Sequence, residues 1–402
     1  MDSKRFQGIT TCLLFLVVVT NAQTSIFDVK TFGAKGDGRT DDSQAIGKAW
    51  NKACTSPKPS RVLISKGTYI VGSFVFQGPC MASPISVDVQ GTLQAPVNPN
   101  QLLTKNSWIA FQNLNNLRVF GGGVFDGQGA LAWSQNSCAK LKRCSGSLAM
   151  NIGITGVTNS VINNITSLNS KLFHMNVLGC NNVTLKKIKI IAPEQSLNTD
   201  GIHVGRSTNV NIIDTNIKTG DDCLSFGDGS QQITVERVTC GPGHGISIGS
   251  LGKYPNEQPV KGITVKNCTL TNTQNGVRVK TWPASPIGVA SDMNFDDIVM
   301  KNVGNPILID QHYCPYNQCK DKIPSRIKIS NVMFKNIRGT STTQTAVKIA
   351  CSAGVPCQNV AISNVNLKFN GVGGPAVSEC SNVKPTIFGN VYPRVCARRA
   401  SL

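Results

Sequence analysis

Acidic residues are scarce in this chain. Against 40 Lys and Arg stand 21 Asp and Glu, leaving a formal net charge of +19. A charge so far from zero favours anionic partners. The basic residues are scattered, with no basic helix and no aromatic-rich RNA motif, which argues against nucleic acid. No Cys-x-x-Cys and no His-rich cluster is present, so nothing in the sequence asks for a metal or another cofactor. The Gly-rich run from Gly121 to Gly129 lacks the Lys-Ser/Thr and the strand-loop-helix setting of a phosphate loop, and reads as a turn. No Pro/Ser-rich linker or low-complexity segment divides the chain, so one domain over residues 23–402 is expected. Helix signals are also few. The clearest is Thr40-Asp41-Asp42-Ser43, a cap for an amphipathic helix carrying Ala45, Ile46, Ala49 and Trp50.

Residues 1–22 have a different character. Lys4 and Arg5 precede an apolar run from Ile9 to Val19, followed by Thr20, Asn21 and Ala22. That order predicts a cleaved secretory signal. The run is too short for a span, which needs roughly 20 apolar residues, and no later segment is longer. A secreted monomer with no membrane attachment is expected. Cys12 lies in the signal, and the 14 remaining Cys are an even number that an oxidising compartment permits to pair. Spacing suggests Cys138 with Cys144, Cys314 with Cys319 and Cys351 with Cys357, while Cys180 and Cys268 have no obvious partners. Asn164, Asn182 and Asn267 open glycosylation sequons. An acidic polysaccharide outside the cell fits both charge and compartment. A merely basic, soluble surface is the bland alternative.

What the chain does have is short strands, rich in Val, Ile and Thr and punctuated by Asn and Gly. Asn159-Ser-Val-Ile, Asn182-Val-Thr-Leu, Asn209-Val-Asn-Ile, Gln232-Ile-Thr-Val and Gly262-Ile-Thr-Val open similar units, each with a second strand after it. Val161, Val183, Val210, Ile233 and Ile263 mark the period, with later units near Ile327 and Val360. A drifting repeat of this length predicts an all-β, single-domain, right-handed parallel β-helix, with the helix near Ala45 capping its N-terminal end. A β-sandwich would want antiparallel hairpins, which the repeat disfavours. The turn Asn residues are expected to form side-chain ladders.

Four polar motifs interrupt the apolar repeat: Asn198-Thr199-Asp200, Gly220-Asp221-Asp222, Gly243-His244-Gly245 and Arg278-Val279-Lys280. Each alone is weak, since an Asp-Asp pair is commonly a solvated turn and Gly-His-Gly a tolerated turn. Their spacing carries more. Asp222 follows Asp200, and His244 follows Asp222, by one coil each, so the three stack roughly 4.8 Å apart on one face. Lys280 lies further on, after an inserted loop from Ser250 to Gly262, and shares a strand face with Arg278. Crowded carboxylates repel, which raises at least one pKa and leaves others ionised. Glycoside hydrolysis needs that division: one carboxylic acid protonates the leaving oxygen and a carboxylate activates water. Arg278 and Lys280 suit an acidic sugar's carboxylate.

In this order the motifs resemble glycoside hydrolase family 28, the polygalacturonases, with Val279 for the family's Ile as the one departure. The resemblance runs from Phe27 onward and implies an inverting hydrolysis of polygalacturonate. It implies Asp221 as general acid, Asp200 and Asp222 as the pair that positions and deprotonates water, and His244 as a residue tuning the acid. Arg278 and Lys280 would bind galacturonate carboxylates, with Asn198 and Tyr313 as further substrate contacts. Cys223 and Cys240 resemble the family's bridge between neighbouring coils. The segments Ser170-Lys-Leu-Phe-His-Met-Asn and Gly243-His-Gly-Ile-Ser-Ile-Gly-Ser-Leu-Gly are similar to plant pollen-type exopolygalacturonases, which implies removal of single galacturonates from the non-reducing end. The loop after Ser250 and the Cys314–Cys319 loop are the candidates for blocking the cleft. An endo-acting polygalacturonase is the first alternative, with a pectate lyase and a silent wall-binding protein as further rival readings. A lyase would use Ca²⁺ held by six to eight oxygens, and beyond these Asp residues nothing suggests such a site.

Overall fold

The computed structural model describes residues 24–102, 105–135, 148–317, 319–320 and 322–396. The signal segment and the Cys138–Cys144 pair lie outside the described residues. Among them, strand pairs with strand in parallel, coil upon coil, in a right-handed β-helix. The sandwich alternative fails on that parallel register.

One sheet of eleven strands runs the length of the molecule and includes Met175–Leu178, Ile202–Gly205, Leu224–Phe226, Ile246–Leu251 and Asn275–Thr281. A second, of 21 strands, wraps the remaining faces. Alternation along each strand builds the core. Met175, Ile202, Leu224, Ile246, Val277 and Ile307 fall in one register column. All six are fully buried. Each such side chain contributes about 1.5–3 kcal/mol on burial, and no coil can bury its own column alone.

The repeat holds with one correction. Val183, Val210, Ile233 and Ile263 occupy one inward column. Val161 does not join it: it pairs with Thr184 and is 41% exposed, and Ser160 faces Val183 instead. That coil is one residue longer than the sequence reading had it, because an apolar residue sits on the outer face. The turns hold the expected ladders. Asn159 and Asn182 have φ of 51° and 55°. Asn182 Nδ2 donates to Asn159 Oδ1 at 2.8 Å, and Asn159 Nδ2 to Asn115 Oδ1 at 2.9 Å. Asn tolerates this left-handed region better than most residues.

The helix Ser43–Cys54 buries Ala45, Ile46, Ala49 and Trp50 against the first coils. Its cap differs from expectation. Asp42 makes no capping bond; its carboxylate accepts from Lys35 N and Gly36 N, and Asp41 takes the N–H of Ser43 instead. Disulfides join Cys54 to Cys80, Cys223 to Cys240, Cys314 to Cys319, Cys351 to Cys357 and Cys380 to Cys396. Cys180 and Cys268 are buried free thiols.

Candidate active site

Asp200, Asp222 and His244 each stand two residues before a strand of the eleven-stranded sheet. Those strands align at a step of 22, Ile202 with Leu224 and Leu224 with Ile246, so the three residues rise in one column. Backbone bonds from Gly201 N to Asp222 O and from Cys223 N to Gly245 O, both 2.8 Å, stack their turns. Glycine is needed where the turns touch. A Cβ on Gly220 would meet Ser196 O at 2.0 Å, and Gly245 combines φ of 92° with a Cβ position 2.2 Å from Asn275 O. The Cys223–Cys240 bridge fixes the residue next to Asp222. The loop after Ser250 is shorter than expected: Leu251 ends one strand and Val260 begins the next.

The three carboxylates have three different surroundings. Asp222 is 1% exposed, yet it faces two cations: Lys280 Nζ at 2.6 Å and Arg278 Nη2 at 2.7 Å. Ser247 Oγ donates a third bond at 2.9 Å. Burial pushes its pKa up, but Lys280, Arg278 and these hydrogen bonds outweigh it and bring it down to about 2. Asp200 is also buried, with one bond from Ser225 Oγ at 3.0 Å. Burial first, then the charges of Asp221 and Asp222, hold its carboxyl well above the usual range, with Lys280 and Ser225 opposing too weakly. Asp221 is the open one, its side chain 20% exposed. Its Oδ1 accepts from Asp222 N at 2.8 Å and lies 3.0 Å from His244 Nδ1. Asn198 Nδ2 approaches its other oxygen at 3.5 Å.

Tyr313 lies over the two cations, its ring centroid 5.2 Å from Lys280 Nζ and 5.9 Å from Arg278 Cζ. Burial raises its hydroxyl pKa despite those two charges. Trp282 packs edge-on against Tyr313 at 5.6 Å, and Lys253 of the loop between Leu251 and Val260 sits over the Trp282 ring at 5.3 Å. The loop carrying Lys253 therefore reaches this side of the site, and the Cys314–Cys319 loop begins directly after Tyr313. A groove of about 870 Å³ opens at Gly220 and His244 and continues past Gln274, Asn305 and Thr343 of later coils.

All eight sequence-predicted residues converge. Arg278 and Lys280 do so in an unforeseen way, directed onto Asp222. Ser225, Ser247, His203 and Trp282 were missed. For the serines the signal was present: they are the polar middle residues of Leu224-Ser225-Phe226 and Ile246-Ser247-Ile248, one coil apart. Ligand atoms of Asp221, Asp222 and His244 lie within 4.8 Å of one another. Both Asp222 oxygens already face cations, so a metal there would have to displace Lys280 or Arg278.

The family model for Glycosyl hydrolases family 28 matches residues 54–392. An exopolygalacturonase of Arabidopsis thaliana is 55% identical over 374 residues, covering 93% of this chain and 83% of that one. An exopolygalacturonase of Oenothera organensis is 54% identical over 361 residues, 90% of this chain and 99% of that one. Among solved structures, the endo-xylogalacturonan hydrolase of Aspergillus tubingensis superposes with a TM-score of 0.77 at 25% identity, over 90% of this chain and 99% of that one.

Proposed function

The chain belongs to the glycosyl hydrolases of family 28 and is a polygalacturonase; from that premise we propose that it removes single galacturonates from the non-reducing end of de-esterified homogalacturonan, with inversion. The observation that carries the mechanism is the division among the carboxylates. Asp221, the exposed one, gives its proton to the glycosidic oxygen as the bond to the anomeric carbon breaks. Water attacks that carbon from the opposite face. Asp200 and Asp222 hold the water and take its proton: Asp222 is kept ionised by Lys280 and Arg278, and Asp200 reaches its ionised form only above the ordinary carboxylate range. His244, beside Asp221 Oδ1, tunes the acid. Arg278 and Lys280 also meet the sugar's carboxylate, with Asn198 and Tyr313 as neighbouring contacts.

Action from the chain end is supported by the names of the two plant relatives and by the wall that Lys253, Trp282 and Tyr313 build on one side of the site. Secretion through a signal at residues 1–22, a catalytic domain over 23–402, action as a monomer in the cell wall, and glycosylation at Asn164, Asn182 or Asn267 belong to the same reading. Among the described residues no helix is long and apolar enough to cross a membrane.

The test is digestion of polygalacturonate with chelator present. Monomer from the first time point is expected. A ladder of oligomers would overturn the exo mode alone. Unsaturated, ultraviolet-absorbing products would overturn hydrolysis.

A further inference from the structure

The two buried carboxylates are held by matching devices with different ends. Each accepts a hydrogen bond from the serine 25 residues further on: Asp200 from Ser225 at 3.0 Å, Asp222 from Ser247 at 2.9 Å. Ser225 and Ser247 occupy one register column. The next residue up that column is Arg278, whose Nε–H donates to Ser247 Oγ at 3.1 Å. The next residue down is His203, whose Nδ1 lies 2.8 Å from Ser225 Oγ. A hydroxyl has one proton to give. When Asp200 is ionised, Ser225 gives its proton to Asp200 and accepts from His203, which places a proton on His203 Nδ1. Thus a permanent cation backs the serine of Asp222, and an imidazole backs the serine of Asp200.

We infer that His203 is a positioning residue for the hydrolysis, acting through Ser225 to orient Asp200 and favour its ionised form. This rests on the role given to Asp200 above. His203 is well placed to stay neutral. It is half-buried against the Phe173 ring at 5.5 Å. Burial brings its pKa down to about 4, with Asp222 and Asp228 raising it and Lys280 lowering it. A neutral imidazole carries one N–H, and the bond to Ser225 selects the tautomer with that proton on Nδ1. Asp200 faces Asp221, Asp222 and Lys280. The Ser225 bond favours its charged form, so removing that bond raises its pKa further. A water-activating carboxylate that ionises later moves the acid limb of the pH–rate profile upward.

The experiment measures kcat and KM on polygalacturonate across that limb, with thermal melting as a fold check. Ser225→Ala and His203→Leu should each move the limb up by roughly one pH unit, with KM little changed. His203→Asn, whose amide N–H replaces Nδ1–H, should hold the limb near wild type. His203→Leu should add nothing in the Ser225→Ala background. If His203→Leu does not fold, Ser225→Ala and His203→Asn still decide. A folded Ser225→Ala with an unmoved limb, or His203→Asn shifted as far as His203→Leu, would overturn the inference. Asp200→Asn separates the premise: near-normal turnover in that variant would sink the role of Asp200 itself, whatever His203 does.

Discussion

Asp221 and Asp222 are adjacent in the chain and opposite in environment. One is open beside His244; the other is sealed between Arg278 and Lys280. Asp221→Asn should lower kcat by on the order of 10²–10⁴, the usual worth of a general acid, with the melting temperature unchanged; near-normal turnover in initial-rate assays would refute its role. Lys280→Met leaves Asp222 buried with one cation. Removing a partner from a buried pair costs about 3–5 kcal/mol, so denaturant unfolding should show a loss of that size, alongside a raised KM. The signs of the two shifted carboxyls differ. Asp222, depressed to about 2, contributes stability that is present above its unfolded pKa of about 3.9 and lost as pH falls through the folded value. Asp200, raised, behaves oppositely: its contribution is full below about pH 3.9 and is lost as pH rises through its folded pKa. Asp200→Asn should therefore raise the melting temperature at neutral pH while abolishing turnover, and that gain should vanish in acid. A melting temperature equal to wild type at pH 7 would contradict the assigned shift.

At the level of elements, the site depends on turns that touch. Gly220 passes so close to Ser196 O that a methyl group has no room. Gly220→Ala should push the Asp221–Asp222 turn outward, lowering kcat by at least about tenfold, the scale set by small misplacements of catalytic groups. Circular dichroism should still report strand. The Cys223–Cys240 bridge ties the end of that turn across most of a coil, 17 residues on. Replacing both with Ala should cost about 2–4 kcal/mol in equilibrium unfolding and lower kcat more than it changes KM. The Asn ladders show the other half of the arrangement. They are built from the same polar residue type as Asn198, yet they bond one another and neighbouring turn residues such as Thr158 and Asp292, away from the carboxylates of the site. Residue type alone did not separate them from the site; coil position did.

For the whole molecule, charge and shape combine. The chain carries a net charge of +19, and the polymer proposed as its substrate is anionic. KM on polygalacturonate should rise with salt as the Debye length falls from about 10 Å at 0.1 M to about 3 Å at 1 M, while KM on a galacturonate trimer rises less. Equal salt dependence for both would place the attraction in the site alone. The solenoid was legible because stacked coils need in-register apolar columns, and Val183, Val210, Ile233 and Ile263 display one. It was misread at Val161, where an exposed valine imitated the inward position and hid Ser160.

The apolar repeat determined the fold and the one-coil spacing the column of Asp200, Asp222 and His244, because a repeat that stacks in register converts sequence distance directly into height; the resemblance of the motifs to family 28 supplied the reaction class. Only the tertiary structure decided what each carboxylate experiences. Arg278 and Lys280 lie more than 50 residues from Asp222, and the coil that carries them is lengthened by the loop between Leu251 and Val260. Their arrival on Asp222, and the pairing of Ser225 with His203 below and Ser247 with Arg278 above, depend on side-chain directions across neighbouring coils. The period shows which residues share a face. The electrostatic contrast between Asp200 and Asp222 follows from Lys280 and Arg278, which pair directly with Asp222, and from the charges of Asp221 and Asp222 acting on buried Asp200.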